Sequence, residues 1–230
     1  MAITKRAVYF RRWRYIFLTE GLFTSVKRTF LFLVRYLFKY ESLYLYRAIL
    51  ENEAHKPESP HIKKDFSLKI ITTIKQVEEL IASGFHSDWF LTSTDIRLSK
   101  GAIAFCIFAE RELVYLSWVA TNVKARDAIA DSPQPIDFSN KEAYIGWTFK
   151  NPRYWRLGGG FTAYIYFRIV HFLWQKGFKA CHFEIEKNNT TMHNTLSKRI
   201  HIKPYREARY IKLLWWKFWQ EKEIQQLNNQ

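Results

Sequence analysis

The chain changes its hydrophobic period repeatedly, and each change predicts an element. Leu43-Tyr44-Leu45-Tyr46-Arg47 alternates weakly, as a strand does, and Ser67–Thr72 is strand-like. Ile74–Ser83 follows a helical spacing and is closed by Gly84 as a C-cap. Gly101–Phe108 and Leu113–Thr121 are apolar runs on either side of Arg111-Glu112, which predicts an antiparallel hairpin. Ala143–Phe149 is the next strand, ended by Pro152. A helical run, Phe161–Lys176, then places Arg168, His171 and Gln175 on one face, and Gly177 caps it. In Ala180–Lys187 the alternation is strict: His182, Glu184 and Glu186 on one face, Cys181, Phe183 and Ile185 on the other. Asn188-Asn189 turns into a short helix, Met192–Arg199, and a last strand, Ala208–Trp216, finishes the sheet. Residues 51–65, with Pro57 and Pro60, read as a linker, and 86–99 and 122–140 read as loops. The order is helices, β, α, β-hairpin, β, α, β, α, β, which is an α+β fold with a mixed sheet.

The N-terminal quarter has a different character. Residues 1–48 hold ten Lys or Arg against Glu20 and Glu41. Gly21 suggests a break between two helices; in the second, Thr24, Arg28, Arg35 and Lys39 form one stripe and Leu22, Phe23, Val26, Phe30, Leu33, Val34, Leu37 and Phe38 cover the rest. A wide apolar face with a basic edge docks on the following domain or on a second subunit, as in a homodimer. It equally lies in the interface of an anionic membrane, with Trp13 and the tyrosines at headgroup level. The net charge of the whole chain is +15, which draws it to polyanions, but large aliphatic residues dilute the basic ones and rank nucleic acid below these two partners. The apolar run Phe30–Phe38 is interrupted by Arg35 and falls short of the ~20 residues a spanning helix needs. No small-residue cleavage site follows the basic start, so no secretory leader is expected. Cys106 and Cys181 have no metal-type spacing, so a cysteine zinc site is excluded and a reducing, cytoplasmic setting is expected, with peripheral membrane association. The division expected is a helical segment over 1–50, a linker over 51–65, a main folded domain over 66–218 and a polar tail over 219–230.

One stretch carries chemistry by its form. Asn151-Pro152-Arg153-Tyr154-Trp155-Arg156-Leu157-Gly158-Gly159-Gly160 joins a strand to a helix and holds three of the chain's eight glycines. Glycines let a backbone approach a ligand, and the free N–H groups of a first helical turn favour an anion. A ligand-free connection is the competing reading of the same residues.

This order of elements resembles the GNAT superfamily, the acyl-CoA-dependent N-acyltransferases, over roughly Ser67–Trp216. In that family a hairpin and a strand lead to a loop, Arg/Gln-x-x-Gly-x-Gly/Ala, that opens a helix; a strand, an Asn, a short helix and a closing strand follow. Gly158 and Gly160 match the small positions if Trp155 stands at the Arg/Gln position. If Arg156 stands there, Gly159 matches and Phe161 replaces the second small residue. Asn188 or Asn189 matches the family's Asn. The resemblance implies an acyl-CoA co-substrate, such as acetyl-CoA, and no metal. Its pyrophosphate would lie on Arg156, Leu157, Gly158, Gly159, Gly160, Phe161 and Thr162, with Phe149, Asn188 and Asn189 nearby. The strand before the loop would splay from its neighbour, and the pantetheine arm would enter the gap.

Acylation of an amine needs a base, an oxyanion site and a route for the departing thiolate. Glu142, Glu184 and Glu186 are the candidate bases, each competing with the plainer reading of a solvated carboxylate paired with a lysine. His182 and His193 are further candidates by residue type, and the same plainer reading competes for each. The Tyr that the family often uses to protonate the thiolate is missing from Met192–Ser197, and Tyr205 lies just beyond. The function expected is an N-acyltransferase acting on an amine, at a membrane surface. The alternative is a protein that keeps this fold without turnover and binds a membrane or polyanion through its basic helices.

Overall fold

The computed structural model describes residues 37–50, 65–85, 93–157 and 160–224. Eight strands form one sheet: β1 (Phe38–Ile49), β2 (Phe66–Ile71), β3 (Ile103–Ala109), β4 (Glu112–Ala120), β5 (Glu142–Lys150), β6 (Ala180–Glu186), β7 (Pro204–Leu213) and β8 (Trp216–Glu223). Their order across the sheet is β2-β3-β4-β5-β6-β1-β7-β8. Every neighbouring pair is antiparallel except β5 and β6. The helices are α1 (Ile74–Ala82), α2 (Thr94–Ser99), α3 (Val123–Ile129), α4 (Gly160–Gln175) and α5 (Thr190–Thr195).

Two apolar layers hold this arrangement. On one face, Phe161, Ile165, Ile169 and Leu173 of α4 pack on Phe105, Val119, Ile145, Cys181 and Phe183. On the other, Val77 of α1, Leu98 of α2 and Ala125 and Ile129 of α3 pack on Ala104, Cys106, Trp118 and Tyr144. The side chains of β3 and β4 alternate between the two layers, which is why these two strands read as nearly continuous apolar runs. α1 starts where its capping box predicts: Gln76 N donates to Thr73 Oγ1, and the Gln76 side chain takes the Thr73 N–H. Gly177, at φ +74°, ends α4.

Several expectations are corrected. The strand read at Leu43–Arg47 is present but longer, and Phe38 and Lys39, read on a helical stripe, belong to it. Residues 38–49 form a twelve-residue strand in the interior of the sheet, between β6 and β7, where Leu43 and Leu45 pack with Ala208 and Tyr210 of β7 while Tyr46 and Ala48 join the α4 layer. Alternating Tyr and Leu suit a strand buried on both sides, and this overrides the helical stripe that ran on to Lys39. The helices expected over residues 1–36, and most of the 51–65 linker, lie outside the described residues. Residues 94–99 and 123–129, expected in loops, are helical. α3 has its own start signal, with Ala125 N donating to the Asn122 side chain and Ala125 and Ile129 four apart facing the core. The single closing strand is a hairpin instead. β7 begins at Pro204, Leu214 turns at φ +56°, and β8 runs to Glu223 through what was expected to be tail. The helix expected over 192–199 is α5 followed by a π turn, Leu196–Ile200.

Candidate active site

The one parallel pair in the sheet is also the shortest. β5 and β6 pair only at Glu142↔Ala180, Ala143↔Cys181 and Tyr144↔His182. Beyond that point β5 keeps its pairing with β4 and leaves β6. A bulge makes the turn away: Thr148 pairs with Ser117 and Ile145 with Val119, so Gly146 and Trp147 stand against Trp118 alone. A side chain on Gly146 would force Ile129 to move, because a Cβ would lie 2.8 Å from Ile129 Cδ1 and Cγ1. The last residue of α3 thus presses directly on the bulge. The strands diverge around a cleft of about 550 Å³, lined by Gly146 to Thr148 on one side and Glu184 to Glu186 on the other. Past Tyr144 and His182 the facing strand edges have no strand partner, so their backbone donors and acceptors are available to an extended ligand.

The loop that enters α4 is pinned at its start. Asn151 Nδ2 donates to Glu112 Oε1 (3.0 Å) and to the Leu113 carbonyl (3.1 Å), while its Oδ1 accepts from Arg153 N. Tyr154 Oη donates to Glu112 Oε2 at 2.9 Å. Arg156 and Leu157 end a 3-10 turn, Pro152–Leu157. Gly158 and Gly159 lie outside the described residues. Gly160 opens α4, and a Cβ on it would meet nothing within 4 Å. The side chain of Phe161 is buried against Phe66, with ring centroids 4.8 Å apart, which leaves only its backbone for a ligand. Thr162 lines the cleft, as does Asn189, whose side chain caps α5 by accepting from Met192 N. Phe149 and Asn188 do not line it; Phe149 packs with Trp147.

Of the carboxylates, Glu184 sits in the cleft wall with built partners. Ser132 Oγ donates to its Oε2 at 2.6 Å, and the Tyr144 hydroxyl bonds to it as well. Burial raises the Glu184 pKa, and the two hydroxyl bonds oppose that rise. The Tyr144 hydroxyl is held well above its ordinary value by burial and then by the Glu184 charge, so it stays protonated and donates. Ser132 is placed by Arg126 of α3, whose Nη2 donates to the Ser132 carbonyl and to the Gln134 carbonyl, the latter at 3.1 Å.

The other candidates are dispersed. Glu186 lies exposed on the cleft rim. Glu142 is buried at the closed end, 2.8 Å from Arg47 Nη2 and 3.0 Å from His182 Nε2, and it does not line the cleft. Burial lowers the His182 pKa, against the pull of Glu142. Tyr205 stands on β7, its ring edge-on to His182 at 6.3 Å, and is also absent from the cleft wall. His193 ties α5 down: its Nε2 lies 2.9 Å from the Glu186 carbonyl and its Nδ1 2.6 Å from Tyr46 Oη. A carbonyl only accepts, so Nε2 carries the proton and Tyr46 donates to Nδ1. Ser132, Tyr144, Arg126 and Gly146 escape sequence reasoning. The Asn122 cap and the spacing of Ala125 and Ile129 are the signals that would have placed α3 and, with it, Ser132.

No protein-family model matches the chain, and no curated protein matches it significantly. Solved structures do. The chain is similar to a GCN5-related glucosamine N-acetyltransferase region of a fungal multidomain GH3 beta-N-acetylglucosaminidase, with a TM-score of 0.51 and 12% identity over 85% of this chain and 23% of that one. It is also similar to a GCN5-related N-acetyltransferase from Sphaerobacter thermophilus (TM-score 0.45, 12% identity, 87% of this chain and 56% of that one). A Drosophila protein from structural genomics aligns with a TM-score of 0.48 and 16% identity over 84% of this chain and 58% of that one. The chain thus spans less than two thirds of the length of each of these three. The split sheet, with its one short parallel pair, and the likeness to the glucosamine N-acetyltransferase region agree: the chain has the GCN5-related N-acetyltransferase (GNAT) fold.

Proposed function

We propose that the protein transfers an acyl group from an acyl-CoA, acetyl-CoA in the simplest case, to the nitrogen of an amine. The observation that carries this reading is the divergence of β5 from β6, which leaves two unpaired strand edges facing a cleft that holds Glu184. An extended thioester arm lies between those edges, with its phosphates at the first turn of α4. The amine nitrogen attacks the thioester carbonyl from the α3 side. The C–N bond forms as the C–S bond breaks, the proton lost by nitrogen goes to Glu184, and the thiolate takes a proton from water. Glu184 suits this role because burial raises its proton affinity towards the working pH. Isothermal titration with acetyl-CoA, followed by an amine-library assay for released thiol, tests the reading. Binding and amine-dependent thiol release are expected; no heat at millimolar ligand ends it and leaves the fold without turnover.

A second reading, association with an anionic membrane, is favoured by a separate observation. The β7–β8 turn exposes Trp215 (74%) and Trp216 (58%), beside exposed Leu213, Leu214 and Phe218. Phe38 pairs with Leu213, and Leu214 N donates to the Leu37 carbonyl, so this apolar end lies where the described chain begins, directly after a sequence rich in basic and aromatic residues. Indole rings favour the headgroup boundary, and a +15 chain favours anionic lipid. Co-sedimentation with phosphatidylglycerol but not phosphatidylcholine vesicles, lost in the Trp215→Ser, Trp216→Ser double variant, is the expected result. Concentration-dependent dimers with no vesicle binding would assign the patch to a second copy instead.

A further inference from the structure

The cleft has a cation in its wall that the acyl-transfer reading does not use. Arg97, on α2, lines the cleft on the face of the sheet opposite α4. Its guanidinium carbon lies 5.2 Å from the ring centroid of Trp118, which is fully buried, and 4.8 Å from that of Trp147, which lies on the bulge. Nε donates to the Ala128 carbonyl at 3.3 Å. That one bond leaves the two terminal amino groups with no protein acceptor among the described residues. Nor does a carboxylate come within ion-pair reach there: Asp127, the nearest in sequence among the cleft-lining acids, pairs with Arg126. Burial depresses the Arg97 pKa, and no acid among the described residues offsets the effect. A half-buried guanidinium is normally matched by a carboxylate, because its desolvation is otherwise uncompensated. Here two aromatic rings and a carbonyl orient the group, and its charge is left to the cleft.

The two faces of the split sheet separate the partners of a transfer reaction. The first turn of α4 belongs to one face. Glu184, with Ser132 and Tyr144, belongs to the other, with Arg97. We propose that Arg97 binds an anionic group of the acceptor, so that the acceptor is an amine that also bears a carboxylate or a phosphate: the anion on the guanidinium fork, the amine at Glu184. This rests on the acyl-transfer reading of the same cleft and names the class of its acceptor. Arginine presents paired donors that match either anion.

The test uses matched acceptors with the full chain and acetyl-CoA: lysine against cadaverine, and phosphoethanolamine against ethanolamine. The anionic member of at least one pair is expected to show kcat/KM higher by roughly tenfold to a hundredfold, the range of a charge-assisted hydrogen bond. Arg97→Met should erase that preference mainly through KM, with acetyl-CoA affinity unchanged, and Arg97→Lys should restore part of it. Equal use of both members of each pair by the unaltered protein overturns the proposal, whatever the variants do. So does a preference for succinyl-CoA over acetyl-CoA that Arg97→Met removes, which would move the anion to the donor. Failure to bind acetyl-CoA would count against the acyl-transfer reading alone. In that case direct titration with phosphoethanolamine decides the point: binding that Arg97→Met abolishes supports the anion site, and its absence overturns it.

Discussion

Ser132 Oγ donates to Glu184 Oε2 at 2.6 Å across the gap that opens between β5 and β6. The bond joins the segment after α3 to the strand on the far side of the cleft, so it fixes a carboxylate in a place where the sheet no longer does. Glu184→Gln keeps an oxygen to accept from Ser132 and removes the proposed base. It is expected to leave the fold and acyl-CoA affinity intact while lowering amine-dependent thiol release by about 10²–10⁴-fold, the usual worth of a positioned base. Retained turnover in a stopped thiol-release assay would remove Glu184 from the reaction.

The pH dependence follows from the direction of the Glu184 shift. Burial raises its pKa in the folded protein, so the acid limb of the rate profile should lie above the usual carboxylate range. The hydroxyl of Ser132 lowers that pKa, and Ser132→Ala should therefore move the limb to higher pH. Stability runs the other way. A carboxyl whose folded pKa exceeds its unfolded value contributes stability that is fully present below the unfolded pKa and is lost as pH rises through the folded one. Thermal melts should accordingly show Glu184→Gln gaining on the parent protein as pH rises through that window. A flat difference between the two would mean that the carboxylate is fully compensated.

Gly160 is a point where the fold and the proposed ligand ask for different things. A Cβ there would meet nothing within 4 Å, and an acidic residue in the first turn of a helix is favourable. Gly160→Glu should thus keep or slightly raise the melting temperature. It should nonetheless abolish acetyl-CoA binding by isothermal titration, because its carboxylate occupies the anion site at the α4 N-terminus. Unchanged affinity would show that the phosphates lie elsewhere.

The legible parts of this protein are those whose signal is local. β3 and β4 were marked by apolar runs around Arg111-Glu112, β6 by its strict alternation, and α4 by glycines at both ends. The loop-to-helix entry was visible for the same reason. The start of β1 at Phe38 was not, because Phe38 and Lys39 continue a helical stripe as readily as a strand, and only pairing with β7 decides between them. The site divides along the same line. Glu184 was visible as one of three acids, but what separates it from Glu142 is partnership across the chain: Ser132 and Tyr144 for the one, Arg47 and His182 for the other. Arg97 was hidden because its two indoles come from β4 and β5, and neither lies near it in sequence.

The cleft depends on a contact between Gly146 and Ile129. A methyl group at position 146 would lie 2.8 Å from two Ile129 carbons and 3.1 Å from Tyr144 Cε1. Gly146→Ala should therefore cost about 1–3 kcal/mol, as overpacking of a filled site does. Because α3 leads into the segment holding Ser132, the strain should also reach Glu184 and reduce turnover. Ile129→Ala alone removes core packing and is expected to cost about 2–5 kcal/mol. Combined, the two changes relieve one clash, so the double variant should be more stable than the sum of the single losses, by an interaction energy of about 0.5–3 kcal/mol. Urea melts of the four proteins measure this cycle directly. Strict additivity would mean that α3 does not bear on the bulge, and the position of Ser132 would then need another cause.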